Sequence, residues 1–451
     1  MAQDDALIPD LSATFNPNET APLDVVFAQP SPSTPYTTYA SSPNSFLSSC
    51  PSLKWGICGT GRICNDFTQS LKILPSSTPV ACAAMSSLES AEKFGRKHGI
   101  KECYGSYEEL SADQNVQIVY VGNVHIFRLE VVEMMLKAGK HCLVEKPFAC
   151  SHKDAKYLFD LAAEKNLFCS EGMWTRYFPA VERVREILSE GSIGEVVCVN
   201  SDFHFPTNDS EKYPDSPLYS KKLAGGASRY AGPYPIAAAL CCFPAFPDKI
   251  SCAGVVDPDL GVDLAGSMSL SFPSPEQNAD SDPAEPPTLL KAKGRGVASL
   301  NFGFMGESAE ETTIVGTKGR VLIHSPAHCP TKVTLSTKLE GRGNSSSVTW
   351  DFPLPEITED IISSGGYYYP NSAGLAYEAA AIARCVDAGK LETPQFTKEE
   401  TLKVMEILDE FLRQVGLFEF EEEEKEEEVK EEVKEEEGKE ENKEENKEEV
   451  S

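Results

Sequence analysis

The stretch Leu53-Lys54-Trp55-Gly56-Ile57-Cys58-Gly59-Thr60-Gly61-Arg62-Ile63-Cys64 decides the fold of this chain. Trp55 to Cys58 is short, apolar and flanked by glycine, the pattern of a strand buried on both faces of a parallel sheet. Gly59-Thr60-Gly61 follows at once, and the chain turns helical through Asp66-Phe67-Thr68-Gln69-Ser70-Leu71. A dinucleotide's pyrophosphate requires this order: a strand end, a turn poor in side chains, and a helix N-terminus whose free N–H groups face the anion. Gly59 makes the tight turn and Gly61 lets the backbone approach the phosphates. Cys64 stands at the third glycine position, small enough for close helix–strand packing. A G-x-G alone arises often by chance; strand before, helix after and further alternation beyond give it weight.

The alternation continues. Val80 to Met85 reads as a second strand and Leu88 to His98 as its helix. A fold of this kind that prefers NAD places Asp or Glu at the end of that strand, for the ribose hydroxyls. Here the place reads Met85-Ser86-Ser87, with no carboxylate to repel a 2′-phosphate and two hydroxyls to donate to one. Arg62 supplies charge nearby, so NADP is expected over NAD, although Glu89 stands at the helix start. Ser106 to Leu110 reads as a capped helix with a Ser-x-x-Glu box. Val116 to Gly122 is another buried strand, and Asn123-Val124-His125 at its carboxyl end sits where ligands collect in such sheets. His125 either touches a cofactor or caps the helix Phe127 to Ala138, which ends on Gly139.

Strand Cys142 to Val144 then delivers Glu145-Lys146-Pro147. A lysine at the carboxyl end of a central strand points into the cleft, where a desolvated ammonium can lower a neighbouring phenol's pKa and bind an alkoxide. The alternative is a surface lysine in a strand-to-helix turn. Pro147 keeps its backbone extended in either case. Helix Lys153 to Lys165 and strand Leu167 to Ser170 complete this half.

Composition bounds the rest. The 451 residues suffice for two or three domains, and the net charge of −29 argues against nucleic acid and acidic membranes as partners. Much of that charge is local, since 19 Glu and 6 Lys fall between Glu419 and Ser451. Fourteen cysteines occur without C-x-x-C spacing, and Met1-Ala2-Gln3-Asp4-Asp5 lacks the basic and apolar regions of a secretory signal. Reduced thiols and a cytoplasmic location are expected. No apolar run approaches the ~20 residues that span a bilayer.

Residues 1–50 are rich in Ser, Pro, Thr and Asn without a period, and 419–451 are Glu/Lys low complexity; both are expected to be disordered tails. Between them a dinucleotide-binding domain is expected over 51–172 and an α/β domain over 173–418. Strand signals in the second run from Val196 to Phe205, Val297 to Phe304, Thr312 to Ile323, Lys332 to Thr337 and Ser346 to Phe352. They alternate more clearly, as in a mostly antiparallel sheet with one open face. Ser274 to Pro287 reads as an inserted loop, and helices Ser372 to Ala388 and Thr397 to Gln414 finish the fold.

With these pieces in place the chain resembles the Gfo/Idh/MocA oxidoreductases, in the branch of the dimeric dihydrodiol dehydrogenases and fungal NADP-dependent D-xylose 1-dehydrogenases. The resemblance runs from about Leu53 to Val415. Four stretches carry it: Trp55 to Ile63, Glu145-Lys146-Pro147, Trp174-Thr175-Arg176-Tyr177-Phe178-Pro179, and G-G-A-x-x-x-x-G-x-Y-P from Gly225 to Pro235. It implies a Rossmann domain followed by an α/β domain whose open sheet forms a homodimer face, and a sugar or diol substrate. Lys146 matches the lysine that binds the substrate hydroxyl, and Tyr234 the acid/base tyrosine. Gly59, Thr60, Gly61, Arg62, Ile63, Ser86, Ser87, Asn123, His125, Glu145, Lys146, Trp174 and Arg176 match or flank the cofactor-binding positions. One departure stands out. The branch has aspartate four residues before the tyrosine, where this chain has Tyr230. Two functions follow: a dehydrogenase, or an NADP-binding pseudoenzyme or sensor without turnover.

Overall fold

The structure, a computed structural model, describes residues 39–85, 87–207, 213–243, 245–273, 296–338 and 345–417. Strands β1 (Leu53–Cys58), β2 (Ser77–Ala83), β3 (Glu102–Tyr104), β4 (Ile118–Val121), β5 (His141–Glu145) and β6 (Cys169–Gly172) form one sheet in the order β3-β2-β1-β4-β5-β6. Every pair is parallel. Alternate residues serve two apolar layers: Trp55, Ile57, Ile118, Tyr120 and Leu143 on one face, Cys58, Val119, Val121, Cys142 and Val144 on the other. Burial on both faces makes these strands read as continuous apolar runs. Helix Leu88–His98 falls where expected, capped by Ser87 and ended by Gly99 at φ +75°.

The second sheet is built from β7 (Val196–His204), β8 (Lys249–Asp257), β9 (Val262–Phe272), β10 (Gly296–Gly303), β11 (Thr312–Gly316), β12 (Gly319–Ile323), β13 (Lys332–Lys338) and β14 (Ser345–Asp351). Their order is β14-β13-β12-β11-β7-β10-β9-β8, parallel between β7 and β10 and antiparallel elsewhere. Helices Pro179–Ser189, Pro233–Leu240 and Lys398–Gln414 pack against it. Toward the other face point Asn200, Ser267, Ser269, Ser299 and Asn301, all exposed. Strands β8 and β9 are additions to the expected set.

Two expectations change. Helix Leu375–Asp387 packs against helix Arg62–Leu71, so the chain after residue 172 returns to cover the first sheet. The N-terminal segment expected to be unstructured up to residue 50 is ordered from Tyr39. A 3-10 turn, Tyr39–Ser41, and helix Pro43–Ser48 bury Tyr39, Phe46, Leu47 and Cys50. Tyr39 stacks on Phe46 at 3.9 Å between centroids, and its hydroxyl donates to the Tyr177 carbonyl. Arg384 lies 3.9 Å over the Phe46 ring and donates to Ser49 Oγ at 2.8 Å. Two aromatic anchors thus overcome a composition that looks unable to fold. Deleting the chain through Cys50 is expected to lower the melting temperature by several degrees in calorimetry; an unchanged value would mean the segment rests on the fold without stabilising it. Residues 1–38, the Glu/Lys run from 419 and the loop Ser274 to Pro287 lie outside the described residues.

Candidate active site

β1 ends in Cys58 and the turn begins at Gly59, whose φ is +111° and whose N–H donates to the Ala83 carbonyl at 2.9 Å. A side chain is disfavoured there on both counts: a Cβ would sit a tight 3.1 Å from Cys64 Sγ, and L residues rarely take that φ. Gly61 caps helix Arg62–Leu71 without any side-chain capping bond, leaving the first N–H groups free for an anion. Cys64 fills the gap beneath, and a Cβ on Gly122 would come within 2.4 Å of its sulfur. That close approach is why a small residue serves at the third glycine position. Thr60 and Ile63 flank the turn half-buried. The buried Asn123 amide, at the carboxyl end of β4, has neither polar atom partnered among the described residues. The turn, free helix start and unused amide suit a dinucleotide.

At the adenosine end, β2 stops at Ala83 and Met85 is 51% exposed. Ser87 Oγ accepts from Ser90 N at 3.1 Å as a helix cap, and Ser86 lies outside the described residues. The Arg62 guanidinium lies 5.7 Å from the centre of the Tyr368 ring.

β5 carries the other half of the site. Glu145 is buried, accepts from the Tyr120 hydroxyl at 2.6 Å and from Lys146 N at 3.2 Å, and burial raises its pKa. Lys146 precedes a cis proline; its Nζ donates to the Tyr230 carbonyl at 2.7 Å and lies 4.6 Å from the Tyr234 ring centroid. Burial, aided by Arg128, lowers the ammonium's pKa to about 8, against the pull of Glu145. Tyr234 reaches the same cleft from helix Pro233–Leu240, and its hydroxyl accepts from Trp174 Nε1 at 3.2 Å. Phe203 and His328 wall it, 5.1 Å and 5.4 Å away.

The lysine therefore meets the tyrosine, but at its ring and not its hydroxyl. The expected lowering of the phenol is absent, because burial pushes Tyr234 well above the ordinary range and Glu145 adds to the rise. The His125 Nε2 lies 2.7 Å from the Ala224 carbonyl, and its ring meets Tyr230 edge-on. Burial holds it neutral, with its pKa lowered to about 3. The Arg176 guanidinium is buried, pairs with Glu400 at 2.6 Å and donates to the Ala237 carbonyl at 2.9 Å.

Arg128 was not singled out by sequence. Its guanidinium donates to the carbonyls of Asn123, Glu145 and Pro147, tying the ends of β4 and β5 into one rigid rim. Its position one helical turn beyond His125 is the only signal the sequence offers.

Residues 53–173 match the Gfo/Idh/MocA family described as "Oxidoreductase family, NAD-binding Rossmann fold", and residues 181–322 match a C-terminal domain of the same family. Trans-1,2-dihydrobenzene-1,2-diol dehydrogenase of Danio rerio is 32% identical over 367 residues, covering 81% of this chain and 97% of its own. The Homo sapiens protein of that name is 29% identical over 372 residues, with the same coverage of 81% and 97%. Among solved structures, a 3-ketoreductase from Actinomadura kijaniata in complex with NADP and TDP-benzene has TM-score 0.63 at 20% identity, covering 81% of this chain and 98% of its own. Levoglucosan dehydrogenase in complex with NADH and levoglucosan has TM-score 0.66 at 15% identity, covering 82% and 98%. At such identities those two speak for the fold alone. With strand order, glycine turn and lysine cleft as described, the chain belongs to the Gfo/Idh/MocA oxidoreductase family, in the branch of the dihydrodiol dehydrogenases.

Proposed function

We propose that this oxidoreductase is an NADP-dependent dehydrogenase of sugar or diol CH–OH groups, working at Lys146 and Tyr234. The observation that carries the reading is the pairing of these two side chains, from separate domains, at the carboxyl ends of β4 and β5. Bound NADP supplies the hydride acceptor. Gly59, Thr60 and Gly61 with the helix start hold the pyrophosphate, and Arg62, Ile63, Asn123 and Glu145 line the groove beside them. The substrate hydroxyl sits between Lys146 Nζ and the Tyr234 hydroxyl. Lys146, as ammonium, stabilises the alkoxide, and the proton moves through the Tyr234 oxygen, which Trp174 orients. The raised pKa keeps the Tyr234 hydroxyl protonated, the form the reducing direction needs, while making it a weaker acid.

NADP is favoured because β2 ends without a carboxylate and Arg62 is close. Titration calorimetry is expected to give tighter binding of NADP than NAD, and turnover is expected in a panel of aldoses and dihydrodiols. Equal or tighter NAD binding would remove the cofactor preference. A second reading, a cofactor-binding pseudoenzyme or sensor, is favoured by Tyr230, which stands where the branch has aspartate and whose carbonyl holds Lys146. A wild type that binds NADP yet turns over nothing in the panel would establish it over the enzyme.

The exposed face of the second sheet, with Val297 at 46% exposure beside Asn200, Ser267 and Ser299, supports a homodimer, which sedimentation would detect. Fourteen free thiols support a reducing compartment such as the cytoplasm. Among the described residues no helix is long and apolar enough to cross a membrane, and no cluster of ligating side chains suits a metal.

A further inference from the structure

Residues 358–372 leave the second sheet and run along the outside of helix Arg62–Leu71. The helix offers one polar side chain after another to this strap. Gln69 Nε2 donates to the carbonyls of Ile361, Ser364 and Gly366, each at 3.3 Å, and Asn65 Nδ2 donates to Gly366 O at 3.1 Å. Asp66, fully buried, accepts from Tyr368 N at 2.9 Å, Tyr369 N at 2.9 Å and Ser372 Oγ at 2.7 Å. So firm a hold fixes where Tyr369 emerges: opposite the first turn of the helix whose N-terminus faces the glycine turn.

Tyr369 is 43% exposed although its backbone is fastened on both sides. Among the described residues its hydroxyl makes no hydrogen bond. Asp66 lies one helical turn beyond Arg62, so the bond from Tyr369 N puts this residue beside the start of the helix. Burial raises the hydroxyl's pKa, Arg62 opposes the rise, and Asp66 and Glu145 add to it. Tyr230 and Tyr234, raised chiefly by burial, also feel its charge. Tyr369 therefore stands near the start of that helix, with a hydroxyl that has no protein partner among the described residues.

We propose that Tyr369 is a cofactor-binding residue supplied by the C-terminal strap, its hydroxyl donating to the pyrophosphate of the dinucleotide laid along the Gly59–Gly61 turn. The inference rests on the dinucleotide reading given above and adds to it a ligand from outside the Rossmann unit. A phosphate oxygen is a charged acceptor, so one such bond is worth roughly tenfold in affinity.

The test uses the full chain. Tyr369→Phe removes only the hydroxyl, and is expected to weaken NADP binding about tenfold by calorimetry while the melting temperature without cofactor stays within a degree. Tyr369→Ala is expected to weaken it at least as much. Unchanged affinity in both variants would overturn the assignment, and so would a melting temperature that falls without cofactor, since Tyr369 would then be a packing residue. A wild type that binds neither NADP nor NAD would be a separate failure, of the dinucleotide reading itself.

Discussion

Lys146→Met is expected to lower kcat/KM by about 10² to 10⁴, the range that proton-transfer and alkoxide-stabilising groups supply, with NADP affinity almost unchanged. The reason is geometric. The ammonium contacts the Tyr230 carbonyl and the Tyr234 ring at the cleft, while the residues proposed to hold the pyrophosphate are those of the Gly59–Gly61 turn. Tyr234→Phe should cost a similar factor, and the double variant little more than either alone, because both groups act on one hydroxyl. The pH profile separates Lys146 from a structural cation. Burial has lowered its pKa to about 8, so the ammonium is present below that pH and lost above it. Activity that needs the charge falls as pH rises through about 8. Lys146→Arg keeps a charge at all these pH values and should move that limb upward even where its rate is low. A limb that stays in place in the arginine variant would assign it to another group.

How far the sequence could be read followed from how each part is buried. The parallel sheet was legible because Trp55 to Cys58 and Ile118 to Val121 are covered on both faces and so are almost purely apolar. β8 was not, because Lys-Ile-Ser-Cys-Ala-Gly lies near the open edge and buries little. β9 does alternate, with Met268, Leu270 and Phe272 inward and Ser267, Ser269 and Ser271 outward, but its serines resemble a loop composition. Tyr39 and Phe46 anchor their segment as a pair, which no periodicity reveals.

The site divides the same way. Lys146 was readable because a strand end fixes where its residue emerges. The partner of Arg176, Glu400, is 224 positions away, and only the fold brings them together. Tyr369 sits in Gly-Gly-Tyr-Tyr-Tyr-Pro-Asn, a stretch with no period, whose placement depends on an aspartate some 300 residues earlier.

That aspartate sets the last expectation. Asp66→Ala should destabilise the protein by about 3 kcal/mol or more, since it strands the N–H groups of Tyr368 and Tyr369 and the Ser372 hydroxyl at once. At roughly 2–4 °C per kcal/mol, the melting temperature should fall by about 6–12 °C. Asp66→Asn keeps one acceptor oxygen but turns an amide toward the same donors, so its loss should be smaller, not absent. Water can reach part of this junction, because Tyr368 is 56% exposed, and that caps the effect below that of a fully sealed charge. Calorimetry on the two variants decides the matter. A fall of only a degree or two in Asp66→Ala would mean that the Gln69 and Asn65 bonds hold the strap without it. A large fall would show that the glycine-turn helix keeps its place through a contact with the second half of the chain, and that the two halves melt together.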